Sequence, residues 1–468
     1  MSKSLSISSN DDVRHLQGAV TSLVFDSDEN GLSDFLAQEW LPGSVNASTK
    51  ILLYQQKKRG ASLKDNNSLE GFKAITPTVK AGDMNNDGIN DLIIYDLGVK
   101  LGDDPGYTGI EPVIFSGRKN KKPVKSDILS EAYLTYAPSD SWQVDGRVSA
   151  KDFALADIDN DGDFDVWVES SGGMNLTNHF LINNGSYFSV DKGRIPLKDI
   201  QGENVSDFNR YWGAHFEDIN GDGSKDLILG QSRTDDITHI NGTSVILQND
   251  RNGFFGLKRR LPRPSFNNGF TVAAEIASGD LNNDGNIDII LSHRRPGNEL
   301  SSHDSNPGTG NYIQVLIQSS QGEFLDYSDE IIGPQDQWSN DDPGNTNFIA
   351  NMGFFDANSD GWQDILVNYW GNYEILGPTL LVNRNGKKLE SVKPDGIKSY
   401  SGEFNFIWDS DQLQQGSLVA MTQVSDSEVF FTDSLFQKKS SVITIKNTDR
   451  YTKKAAVKTN SFDSNSDF

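Results

Sequence analysis

The chain has 468 residues, with 66 acidic against 42 basic side chains, a formal net charge of −24 and no cysteine. That balance excludes the basic footprint of a general nucleic-acid binder, and the absence of cysteine excludes a disulfide-built fold. No apolar run approaches the roughly 20 residues of a membrane-spanning helix, and Met1–Ser8 lacks the continuous apolar segment of a secretory leader.

Taken in order, the chain repeats one device. An acidic loop with Asp26, Asp28, Asn30 and Asp34 comes first, and the apolar segment Ile51–Tyr54 follows it. Asp83, Asn85, Asp87 and Asp91 repeat the loop as D-M-N-N-D-G-I-N-D, ahead of Leu92-Ile93-Ile94 and Val113–Phe115. The fullest copy is D-I-D-N-D-G-D-F-D, with Asp157, Asp159, Asp161 and Asp165 in register between Phe153–Ala156 and Val166–Val168. Asp218, Asn220, Asp222 and Asp226 form the fourth copy, and Asp280, Asn282, Asp284 and Asp288 the fifth. The sixth has Asp356, Asn358, Asp360 and Asp364. A degenerate seventh unit, Phe404–Ala420, keeps flanking strands but holds only Asp409-Ser410-Asp411, and no tight metal is expected there.

One such loop is ordinary turn chemistry, but six in one register are a pattern. Oxygens at positions 1, 3, 5 and 9 converge on one point, and position 7 adds a backbone carbonyl from Leu32, Ile89, Asp163, Ser224, Asn286 or Trp362. Several oxygens around one centre suit a hard cation such as Ca²⁺, and without it the gathered carboxylates repel one another. About six structural Ca²⁺ are expected, which would halve the net charge of −24. The loop is not an EF-hand. Position 12 holds Ala37, Ile94, Val168, Leu229, Leu291 and Val367 in place of a bidentate Glu, mostly within short β-branched runs that read as buried strands.

Later in each unit comes strand, turn, strand: Phe180-Leu181-Ile182, then Asn184-Gly185, then Tyr187-Phe188 in the third. Asn-Gly between apolar runs is a hairpin signal. Each unit therefore supplies four short strands, and four-stranded units repeated around an axis make a β-propeller. The expected fold is all-β: one seven-bladed β-propeller over residues 1–447, with metal-binding loops between the first and second strands of six blades. Blades are expected near 12–65, 74–126, 142–195, 208–262, 270–332, 347–394 and 402–447. Leu5–Ser8 is a candidate outer strand of the last blade, and the polar tail 448–468 is expected to be loose or laid on the surface.

These loops and hairpins resemble the FG-GAP/VCBS-repeat family, the calcium-loop propellers also seen in integrin α-subunit heads and in some fungal lectins. The likeness covers residues 12–447; Tyr211-Trp212-Gly213-Ala214 partly echoes the family's aromatic-Gly signature, and the VCBS branch is the closer one. The resemblance implies calcium loops on one face, with longer loops such as Asp96–Pro112, Gly230–Ser244 and Ser292–Tyr312 on the other. It also implies an extracellular or cell-surface binding or adhesion module, recognising carbohydrate or a surface protein and no nucleic acid. Candidate ligand contacts are Trp212, Trp338 and Trp370, whose aromatic faces suit sugar rings, and the basic cluster His293, Arg294 and Arg295. One alternative is a polysaccharide lyase on the same propeller, with His293 abstracting a proton. Another is a structural part of a surface or secreted assembly.

Overall fold

The structure is a computed structural model. It describes residues 19–25, 27–30, 34–39, 50–57, 60–62, 69, 78–96, 109–136, 147–170, 178–195, 211–231, 243–265, 271–294, 309–335, 339–340, 348–356, 360–370, 380–392, 404–408, 418–425, 428–433, 441–446 and 456–459.

Short apolar runs separated by Asp/Asn/Gly loops give antiparallel meanders. Sheet one holds β1 (Ala19–Phe25), β2 (Asp34–Glu39), β3 (Lys50–Lys57) and β4 (Gly60–Ser62). Sheet two holds β5 (Thr78–Gly82), β6 (Asp91–Tyr95), β7 (Val113–Arg118) and β8 (Lys121–Ser126), followed by helix α1 (Ile128–Tyr136). Sheet three holds β9 (Ala150–Ala156), β10 (Asp165–Ser170), β11 (His179–Asn183) and β12 (Phe188–Asp191). Sheet four holds β13 (Tyr211–Glu217), β14 (Asp226–Gln231), β15 (Val245–Asn249) and β16 (Phe255–Arg260). In sheet five, β17 (Val272–Gly279), β18 (Asp288–Arg294), β19 (Thr309–Gln318) and β20 (Phe324–Asp326) precede the one-turn helix α2 (Ser328–Ile331), and β21 (Ser339–Asn340) pairs with β19. Sheet six holds β22 (Phe348–Phe355), β23 (Asp364–Trp370), β24 (Leu380–Asn383) and β25 (Leu389–Val392). The last sheet holds β26 (Phe404–Trp408), β27 (Leu418–Ser425), β28 (Glu428–Asp433), β29 (Ser441–Lys446) and β30 (Ala456–Thr459).

Apart from β21, strand order follows chain order in every sheet, as a repeat architecture requires. Successive sheets touch through their leading strands, β1 with β5, β5 with β9, β9 with β13, β13 with β17 and β17 with β22, while sheet six meets the last sheet through its second strand, β23 with β26. β26 in turn contacts β1. This is the arrangement of a β-propeller.

Second strands are buried on both faces, which explains their unbroken apolar runs: every described residue of β6, β10 and β14 is buried. The core lies between sheets. Trp167, Phe180, Phe216 and Phe255 fill the layer between sheets three and four, with Phe180 and Phe255 stacked at 5.3 Å. Each such side chain contributes about 1.5–3 kcal/mol by leaving water. Close approach demands glycine at two points between sheets four and five. A Cβ on Gly213 would lie 2.7 Å from the Ala274 carbonyl oxygen, and one on Gly230 would lie 2.5 Å from that of Ala273.

Two features differ from the sequence reading. The alternating Ala456–Thr459 segment, inside the expected loose tail, forms β30 and pairs with β29. The link after β8 carries α1, whose Leu129, Ala132 and Tyr133 are buried against sheets two and three. The degenerate loop at Asp409 and the candidate strand Leu5–Ser8 lie outside the described residues.

Candidate metal-binding loops

Each acidic loop leaves the first strand of its sheet and enters the second, which is buried throughout in β6, β10 and β14, so its two ends are fixed. Between them two residues take the left-handed conformation: position 4 (Glu29, Asn86, Asn160, Gly221, Asn283) and the position-6 glycine, with φ of +97° at Gly162. Apart from Glu29, these are Asn and Gly, the residues that best tolerate this region.

The same hydrogen bonds recur from loop to loop. At position 1, one carboxylate oxygen accepts from the position-5 amide and the other from the position-6 amide: Asp157 accepts from Asp161 at 3.1 Å and from Gly162 at 3.0 Å. Asp83, Asp218, Asp280 and Asp356 do likewise. The position-5 carboxylate accepts from position 7, at Asp87, Asp161, Asp222, Asp284 and Asp360. Asn85, Asn220 and Asn282 accept from the position-5 amide.

Position 9 has a second duty. Asp165 accepts from Ile158 N–H at 3.2 Å and from Asn183 N–H, at the end of the third strand, at 2.8 Å. Asp91, Asp226, Asp288 and Asp364 bind the third strand in the same way through Gly117, Asn249, Gln318 and Asn383. These carboxylates are buried. Burial pushes the Asp165 and Asp288 carboxyls up to about 7, and those of Asp91 and Asp226 up to about 6; neighbouring loop carboxylates add to the rise, and backbone donors oppose it.

In the third loop, carboxylate oxygens of Asp157, Asp159 and Asp165 lie within 4.8 Å of one another. Asp159 Oδ1 is buried and accepts no hydrogen bond from the protein, while its Oδ2 lies 3.3 Å from Arg194 Nη1. A buried anionic oxygen without a donor is costly, and an all-oxygen donor set is one that can hold a hard cation. In the first loop Asp28 is buried, Asn30 is half-buried and Asp34 opens β2, while Asp26 and Leu32 lie outside the described residues. In the sixth, Asn358 lies outside them too.

Of the candidate ligand residues, His293 and Trp212 have described side chains. The sequence placed His293 in a loop, but β18 extends through Arg294 and carries His293 into the sheet, 1 % exposed. Its Nδ1 lies 2.9 Å from Thr271 Oγ1 and its Nε2 lies 3.0 Å from Gln314 Oε1. Gln314 Nε2 donates to Pro262 O and Asp326, so its Oε1 accepts from the imidazole Nε2–H. Burial lowers His293 to about 4, which keeps it neutral. A ring held inside a sheet through both nitrogens does not face a loop surface. Arg294 and Trp370 end their strands, Trp212 is half-buried on β13, and Arg295 and Trp338 lie outside the described residues.

Sequence reasoning missed a polar cluster on the leading strands. Lys80 pairs with Asp152 at 2.9 Å, joining β5 to β9. Ser278 donates to Glu217 Oε2 at 2.7 Å and lies 2.8 Å from His215 Nε2, joining β17 to β13. Glu217 holds the serine hydroxyl and not the imidazole Nδ1, so the trio lacks the order of a nucleophilic triad. Polar residues inside apolar first strands were the available signal.

Residues 218–291 match the model of the FG-GAP-like repeat. That span runs from the fourth loop through the fifth and into β18. No curated protein sequence matches the chain. Among solved structures, the BP39L lectin from Burkholderia pseudomallei is 10% identical, with 92% of this chain and 99% of that one covered and a TM-score of 0.42. The Dos1 propeller is 10% identical over 92% of each chain, with a TM-score of 0.39. A GH43_1 enzyme from Xanthomonas citri is 12% identical over 69% of this chain and 93% of that one, with a TM-score of 0.31. Likeness at these scores bears on neither ligand nor activity.

Proposed function

We propose that the protein is a calcium-stabilised, seven-bladed propeller that works outside the cell or on its surface as a binding module. The observation that carries this reading is the repeated loop. Turn bonds hold positions 1 and 5 in place, and in the third loop the carboxylates of Asp157, Asp159 and Asp165 gather within 4.8 Å, while the buried Asp159 Oδ1 is left by the protein without a donor. Asp157, Asp159, Asp161 and Asp165, with the position-7 carbonyl of Asp163, would hold Ca²⁺ there, and matching positions would hold it in the other loops. The ion would supply the positive charge that lets these carboxylates stay ionised in a buried turn. Loops of this kind serve where calcium is plentiful, since weak sites suffice there. Carbohydrate or a surface protein remains the proposed ligand, in the branch of the family close to VCBS repeats.

Thermal unfolding in millimolar calcium and in excess chelator, with metal counting, tests the reading. About six bound ions and a large calcium-dependent rise in midpoint are expected. An unchanged midpoint with no retained metal would make the loops acidic turns only.

A further inference from the structure

The loops are joined to one another. The residue that ends the third strand of one sheet sends its side-chain amide into the loop of the sheet before it. Asn183 Nδ2 donates to Met84 O at 2.6 Å, Asn249 Nδ2 to Ile158 O at 2.7 Å, Gln318 Nε2 to Ile219 O at 3.2 Å and Asn383 Nδ2 to Leu281 O at 2.7 Å. Every acceptor is the position-2 carbonyl, next to the first carboxylate. All four amide residues are buried, and their own backbone N–H groups are held by the position-9 aspartates of their own loops. One residue thus grips two loops, its own through its backbone and its predecessor through its side chain.

A second link runs forward from position 4. Asn283 Nδ2 donates to Gly361 O of the next loop at 3.2 Å, and Asn160 Nδ2 lies 3.5 Å from Ser224 Oγ of the next loop.

We propose that these amides couple the metal loops into a cooperative array, so that a cation in one loop preorganises its neighbour. The proposal rests on the metal reading above. A cation fixes positions 1 and 9 of its loop. Position 9 orients the third-strand residue, and that residue orients position 2 of the preceding loop. By reciprocity an ion in the preceding loop favours the next one equally. Asn183, Asn249, Gln318 and Asn383 are therefore positioning residues.

The fifth and sixth loops give the test, because Trp362 occupies position 7 of the sixth and can sensitise bound Tb³⁺. The probe is Tb³⁺ titrated into the full chain, read as tryptophan-sensitised emission, with Trp362→Phe defining the background from other sites. Asp280→Ala disables the fifth loop. Coupling predicts that this remote change weakens Tb³⁺ at the sixth loop about tenfold. In an Asn283→Gly/Asn383→Ala background the effect of Asp280→Ala should vanish. Asn383→Asp keeps the acceptor for Gly386 N–H while removing the donor, so it repeats the test if the alanine variant folds poorly. Equal Tb³⁺ affinity with and without Asp280→Ala overturns the coupling and leaves the metal sites standing. No Trp362-dependent Tb³⁺ emission from the unaltered chain overturns metal binding at the sixth loop, and the coupling read there falls with it.

Discussion

Arg194 Nη1 lies 3.3 Å from Asp159 Oδ2, in the loop that carries carboxylates at positions 1, 3, 5 and 9. Arg194 also pairs with Asp191 at 3.2 Å, donates to Asn252 O at 3.3 Å and stacks over Phe254. It is the protein's own partial counter-charge for that loop. Arg194→Met should therefore lower stability in chelator by about 1 kcal/mol, the size of a half-buried ion pair. In calcium the loss should shrink, because the ion supplies the missing charge. Unfolding midpoints of both proteins in the two conditions check this.

Asp157 and Asp159 should separate under substitution. Asp157→Ala deprives the Asp161 and Gly162 amides of their acceptor, so it should cost about 1–2 kcal/mol with or without calcium. Asp159 makes no bond to the backbone turn, and its removal in chelator should change stability by less than about 0.5 kcal/mol, because lost pairing and relieved repulsion oppose each other. In calcium Asp159→Ala should lose one bound ion, worth about 1.4 kcal/mol when free calcium is tenfold above Kd. A large loss in chelator for Asp159→Ala would contradict the assignment.

The buried position-9 aspartates set a pH dependence. Burial raises Asp165 and Asp288 to about 7, and Asp91 and Asp226 to about 6, above the ordinary carboxylate range. A raised folded-state pKa favours the protonated native state, so this contribution is fully present below the unfolded value and is lost as pH rises through 6 to 7. In chelator the midpoint should climb when pH falls from 8 to 5. Millimolar calcium should reverse the slope, since the ion requires the ionised form. Midpoints against pH with and without calcium read both signs.

Gly213→Ala should force sheets four and five apart, because its Cβ would lie 2.7 Å from Ala274 O. The expected loss is about 1–3 kcal/mol, independent of calcium. Urea unfolding in both conditions would show equal shifts.

His293→Ala should destabilise by about 1–3 kcal/mol by leaving Thr271 and Gln314 without their partner. Binding of any glycan that the protein retains should be unchanged once folded protein is counted. A selective loss of binding at full stability would restore His293 as a ligand contact.

The loops were legible because their chemistry is local. Alternating Asp and Asn, one glycine and an apolar run of β-branched residues fix the turn and its exit strand within a dozen residues. The meander was legible for the same reason, through hairpins such as Asn184-Gly185. The amide links were not, because Asn249 and its acceptor Ile158 belong to different repeats, and an Asn at a strand end reads as the start of a turn. It is that as well, accepting from Arg251 and Gly253. His293 was misplaced because β18 runs past the apolar Ile289-Ile290-Leu291, extended by the pairing of Ser292, His293 and Arg294 with β17 and β19. Helix α1 lacks a strong apolar stripe, and packing against two sheets fixes it.

The backward reach of the amides also sets an order in time. Asn183, Asn249, Gln318 and Asn383 lie 91 to 102 residues after the carbonyls that they bind. At ordinary synthesis speeds a loop emerges from the ribosome roughly 5–20 s before the amide that completes it. During translation each of these four loops therefore waits for its clasp, and is completed one step behind the strands that build it.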